Sequence, residues 1–111
     1  MSDRELLELA AKAAGIRINH WVYDDLDYSP AVLEAGGTWH PLADDGDALR
    51  LAVKLGIKID LHPAWVYVRA VVPPNNYMEI REGWANGYSN PDAATRRAIT
   101  RAAAEIGRSM T

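Results

Sequence analysis

Apolar positions recur at helical spacing over the first dozen residues, where Leu6, Leu9, Ala10 and Ala13 share a predicted helix face. Ser2 and Glu5 have the spacing of a capping box, in which each side chain satisfies a backbone donor of the first turn. A helix is therefore predicted over about residues 3 to 14. Gly15 offers the left-handed conformation that stops it. Ile16, Ile18, Trp21 and Val22 then predict a strand, closed by the acidic run Asp24-Asp25-Leu26-Asp27 and by Ser29-Pro30. Residues 24 to 38 read as a loop holding a short strand around Ala31 to Leu33, with Gly36-Gly37 as a turn before Trp39.

Further along, Asp44 or Asp45 is placed to cap a second helix, and Asp47 puts negative charge in its first turn. Leu49, Ala52 and Val53 are its predicted buried face, and Gly56 is its stop. Ile57, Ile59 and Leu61 alternate with Lys58, Asp60 and His62, the period of a strand with one wet face. Pro63-Ala64 is a turn signal, and the β-branched and aromatic run Trp65 to Val72 completes a predicted hairpin. Pro73-Pro74-Asn75-Asn76 breaks it. Tyr77, Met78 and Ile80 predict an outer strand before the turn-rich segment Gly83 to Asn90. Asn90-Pro91-Asp92 then opens a helix that runs to about Ser109, with Ile99, Ala102, Ala103, Ile106 and Met110 as its apolar stripe. Its many alanines allow close approach to a neighbour.

One unit occurs twice. Leu7-Glu8-Leu9-Ala10 through Gly15-Ile16-Arg17-Ile18 is echoed by Leu49-Arg50-Leu51-Ala52 through Gly56-Ile57-Lys58-Ile59, a helix, a glycine stop and a strand each time. Two short copies are a reused local solution rather than a repeat array. Helices at the beginning, middle and end with strands between define an α+β class.

At 111 residues the chain suits one domain, and 49% hydrophobic with 24% charged residues is globular composition. The chain has no cysteine, which removes disulfides, thiolate nucleophiles and cysteine-bound zinc. The segment Met1-Ser2-Asp3-Arg4-Glu5 leads straight into a charged amphipathic helix, so neither export nor membrane insertion is expected, and a cytoplasmic location is. A net charge of −3 argues mildly against a dedicated nucleic-acid binder.

The run Trp39-His40-Pro41-Leu42-Ala43-Asp44-Asp45-Gly46-Asp47 through Lys54-Leu55 resembles the central signature of the phage ABA sandwich domain, a family of small bacteriophage and prophage proteins. The ending Ala93-Ala94-Thr95-Arg96-Arg97-Ala98-Ile99 through Glu105-Ile106-Gly107 and the opening Arg4-Glu5-Leu6-Leu7 through Gly15-Ile16 resemble it too. The resemblance implies an antiparallel or mixed sheet of about four strands sandwiched by three helices in α/β/α layers, over residues 1 to 111. It also implies an origin in a phage or prophage within a bacterial cell, and it implies no activity. Residues 17 to 38 and 62 to 89 lie outside it and are the segments where function would vary.

Candidate chemistry is sparse. Asp44, Asp45 and Asp47 are oxygen ligands by type but lie at a helix start, where capping accounts for them. Asp60 and His62 share one strand face, and His20 and His40 would have to join them to build a transition-metal site. No nucleophile elbow or phosphate-binding glycine loop is present, so neither an enzyme nor a cofactor is expected. Arg97, Arg101 and Arg108 lie along one side of the last helix and are candidates for phosphates or an acidic partner. Pairing within the helix, such as Arg101 with Glu105, is the alternative. With four tryptophans, five tyrosines and no phenylalanine, the aromatics are of the kind that suits interfaces. Tyr77, Trp84 and Tyr88 are the candidate partner-binding residues. Trp65 and Tyr67, on one strand face, read equally well as core. The resulting expectation is a noncatalytic accessory protein acting through protein contacts, with a host or phage protein or a second copy as partner. A nucleic-acid binder using the arginine helix and a small metal-dependent enzyme are the alternatives.

Overall fold

A computed structural model of the protein describes residues 2–22, 30–74, 76–84 and 90–110. Its elements, in chain order, are α1 (Asp3–Ala14), β1 (Ile18–Trp21), β2 (Ala31–Leu33), β3 (Thr38–Trp39), α2 (Asp45–Leu55), β4 (Lys58–Leu61), β5 (Trp65–Val72), β6 (Asn76–Gly83) and α3 (Pro91–Ser109). No helix among the described residues is long and apolar enough to cross a membrane.

Local capping chemistry sets the helix ends. Ser2 accepts from the Glu5 N–H at 3.2 Å, while its hydroxyl, rather than its backbone N–H, reaches the Glu5 carboxylate. Asp44 accepts from the Asp47 N–H at 2.8 Å, and Asn90 from the Ala93 N–H at 2.6 Å. The echo noted in the sequence is also one of geometry: Gly15 and Gly56 both adopt the left-handed conformation, at φ 69° and 66°. After each, the next N–H returns to the helix, from Ile16 to Ala11 O and from Ile57 to Ala52 O at 2.9 Å. This is the six-to-one bond of a Schellman stop, which glycine adopts without a Cβ penalty.

The strands form two antiparallel three-stranded sheets, β1-β2-β3 and β4-β5-β6, where one sheet of about four strands was expected. The short β3 was not anticipated at all. In the second sheet β5 is central, with Ile59 opposite Val68 on one side and Ile80 opposite Val68 on the other. Val66, Val68, Ala70 and Ile80 point to one face and are buried. Helix α3 packs on β5 and β6, and α1 and α2 pack on α3. The opposite face of this sheet carries no helix among the described residues.

The predicted helix faces need correction. In α2 the buried residues are Ala48, Leu51 and Ala52, whereas Leu49 and Val53 are exposed. In α1 the face has rotated to Leu6, Leu7, Ala10, Ala11 and Ala14. Along α3, Ile99, Ala102, Ala103 and Ile106 are buried as expected, but Met110 is exposed. The alanines serve the close approach anticipated for them: Gly107 of α3 lies directly against the Leu9 backbone of α1.

Candidate functional site

Alternation along β5 places Trp65, Tyr67, Arg69 and Val71 on the face that α3 does not cover. Strand β6 adds Tyr77, Glu79 and Arg81, which stand opposite Val71, Arg69 and Tyr67, and β4 adds Lys58 and Asp60. Around one end of this face the His62 ring stacks on Trp65 with centroids 5.3 Å apart, and Tyr67 meets both rings edge-on. The Arg81 guanidinium sits 4.8 Å from the Trp65 ring centroid and 5.9 Å from that of Tyr67. A cation over aromatic faces is attracted by the ring quadrupole, which fixes Arg81 without using any of its hydrogen-bond donors. Arg69 is tied to Glu79 at 2.8 Å, while Arg81 makes no ion pair among the described residues.

The other end of the face is apolar and open. Val71 and Tyr77 are exposed, Tyr77 at 84%, beside a cavity of about 420 Å³ whose rim includes Lys58 and Met78. The face as a whole therefore joins aromatic area, a guanidinium held over two rings and a paired charge couple.

The other predicted site residues are distributed differently. Trp84 packs against the core, and its indole N–H donates to Pro63 O at 3.2 Å, so it braces the β4–β5 hairpin. Tyr88 lies outside the described residues. Arg97, Arg101 and Arg108 do come together, along a cleft of about 520 Å³ floored by Leu6, Met78 and Ile80. Each already faces a carboxylate: Arg97 meets Asp3 of α1 at 3.2 Å, Arg101 meets Glu82 of β6 at 2.6 Å, and Arg108 meets Glu105 at 3.5 Å. The expected Arg101–Glu105 pair is thus replaced by one across elements, because Glu82 points from the sheet toward α3. Arg96 likewise reaches Asp45 of α2 at 2.6 Å. Arg96, Arg97 and Arg101 thus fasten α3 to its neighbours, while Arg108 pairs within the helix. Arg101→Ala is expected to cost about 1–2 kcal/mol, the upper range for a partly exposed pair whose largely covered Glu82 is left behind; chemical denaturation measures it.

The acidic group at α2 is used structurally. Asp44 caps, Asp45 holds Arg96, and Asp47 accepts from the His40 N–H at 2.9 Å and from Arg50 at 2.8 Å. His62 Nε2 lies 3.4 Å from Asp60 Oδ2, near enough for attraction but without hydrogen-bond geometry. His40 is buried, and neither ring nitrogen has a hydrogen-bond partner among the described residues. His20 and His40 do not join Asp60 and His62: no group of three or more His, Cys, Asp or Glu side chains among the described residues could hold a metal ion.

Sequence reasoning had placed Asp60 with His62 and Trp65 with Tyr67, but it missed Arg81. The strand alternation Tyr77, Glu79, Arg81 would have found it, since these three share a face in any register. In comparisons with protein-family models, with curated proteins and with solved structures, none matches the chain.

Proposed function

We infer that the protein is a noncatalytic binding module that engages another protein through the uncovered face of the β4-β5-β6 sheet. The observation that carries this reading is the arrangement of His62, Trp65, Tyr67 and Arg81 on a face that no helix among the described residues covers, with Val71 and Tyr77 exposed beyond them. Buried aromatics and arginine dominate binding energy at protein interfaces, and a rigid sheet presents them at little cost in ordering. The pairing of Arg97 with Asp3 and of Arg101 with Glu82 supports a protein partner over phosphate, which would have to displace those carboxylates. The resemblance of residues 39 to 55 and of the last helix to the phage ABA sandwich family is the ground for a phage or prophage accessory role in the bacterial cytoplasm.

A photoreactive side chain placed at Val71 or Tyr77, and at exposed Glu8 of α1 as control, tests this in bacterial cells. The expected result is a discrete protein adduct from both face positions, none from Glu8, and loss of the adduct in the Arg81→Glu background. Aromatic rings beside a cation also suit stacked bases of single-stranded nucleic acid. An adduct with nucleic acid, or the same adducts from Glu8, would sink the protein-contact reading.

A further inference from the structure

We propose that β4 is a self-pairing edge: two copies of the chain associate through it in antiparallel fashion, joining their three-stranded sheets into one. On its inner side β4 is hydrogen-bonded to β5, and among the described residues no strand pairs with its outer side. An unpaired edge is normally blunted by charge, proline or a covering element. Here Ile59 and Leu61, which alternation turns toward the helix side of the sheet, remain 37% and 65% exposed. They border a groove shared with Ala48 and Leu49 of α2. Leu49 is 58% exposed, and Val53, one turn further on, is 74% exposed. Strand edge and helix thus form one apolar strip that the fold leaves open.

The charges on the other side of β4 select the occupant. Directly opposed residues of an antiparallel pair share a face, so Ile59 and Leu61 stay on the apolar side only if odd positions meet odd ones. Centring the two-fold axis on Ile59 sets Ile59 against Ile59 and places Lys58 of each copy opposite Asp60 of the other. Centring it on Asp60 would oppose two carboxylates and set Lys58 against His62. Lys58 makes no ion pair among the described residues, and its own cross-strand neighbour is the like-charged Arg69. Asp60, at 60% side-chain exposure, has among the described residues only its 3.4 Å approach to His62. The Ile59-centred register gives both groups a partner twice over, and it brings Leu49 of the two α2 helices to the same seam. This pairing does not depend on what the uncovered face binds.

Sedimentation of the purified protein over a micromolar to near-millimolar series tests it, together with D60K, K58D/D60K and, on the helix, L49E. The wild type is expected to dimerise. D60K, which turns two attractions into two repulsions, should weaken association by about tenfold or more. K58D/D60K re-creates opposite charges across the axis and should restore most of the loss, whereas L49E should weaken association without affecting it through those charges. All three positions, Leu49, Lys58 and Asp60, are exposed, so circular dichroism should show the native fold throughout. A monomer across the whole series overturns the proposal, as does a dimer indifferent to D60K or one that K58D/D60K fails to rescue. None of these results bears on adducts at Val71 or Tyr77, so the two readings fail separately.

Discussion

Gly107→Ala is expected to lower stability by about 2–3 kcal/mol, although alanine is the better helix former by nearly 1 kcal/mol in a neutral setting. A Cβ at this position would fall on the carbonyl oxygen of Leu9 and only 2.8 Å from its carbonyl carbon. Backbone cannot rotate away as a side-chain tip can, so α1 and α3 would have to separate. The alanines at their contact, Ala10, Ala11, Ala102 and Ala103, would lose packing together. For a domain of this size the loss corresponds to a drop in melting temperature of about 10 °C or more. Gly46→Ala is the control, because the atoms nearest its Cβ would be the guanidinium of exposed Arg50 and the Asp44 carboxylate at 3.1–3.2 Å, side-chain ends that can shift by a few tenths of an ångström. It should change stability by about 0.5 kcal/mol or less. Equal losses at Gly46 and Gly107 would mean that the α1–α3 contact is not the tight one described.

The second large effect separates the two sides of α2. Leu51, 2% exposed, belongs to the common core, and Leu51→Ala should cost about 2–4 kcal/mol through lost transfer energy and a residual cavity. Val53→Ala, measured in dilute solution, should stay within about 0.5 kcal/mol, since its side chain already meets water. Urea titration of the two variants reads the difference directly. A larger loss at Val53 than at Leu51 would reverse the orientation of the helix.

That orientation also shows where the sequence ceases to be readable. Ser2, Gly15, Asp44, Gly56 and Asn90-Pro91 act on backbone groups within four residues, so the helix boundaries they dictate could be placed before any tertiary information. In α2, by contrast, Leu49–Ala52–Val53 and Ala48–Leu51–Ala52–Leu55 both satisfy helical periodicity. The choice between them is made by α3, which is distant in sequence. The arginines of α3 show the same limit: intrahelical spacing favoured Arg101 with Glu105, and the sheet supplied Glu82 instead. Strand alternation could tell which residues share a face of β5, but not which face would be left uncovered. That followed only once α3 was seen to occupy the side of Val66 and Val68. The candidate site was therefore half legible: Tyr77, His62, Trp65 and Tyr67 could be paired by face, while their exposure could not.

The contact between α1 and α3 also sets the order in which the molecule can assemble. Helix α1 packs chiefly on α3, which follows it only after residues 15 to 90. The hairpin of β4 and β5 can form from neighbours alone, but its apolar side also waits for α3. The search for the native arrangement must therefore close a loop nearly as long as the chain, an entropic cost that slows folding. The buried face of α1 and the apolar side of the hairpin are completed by the same helix, which follows both in the chain.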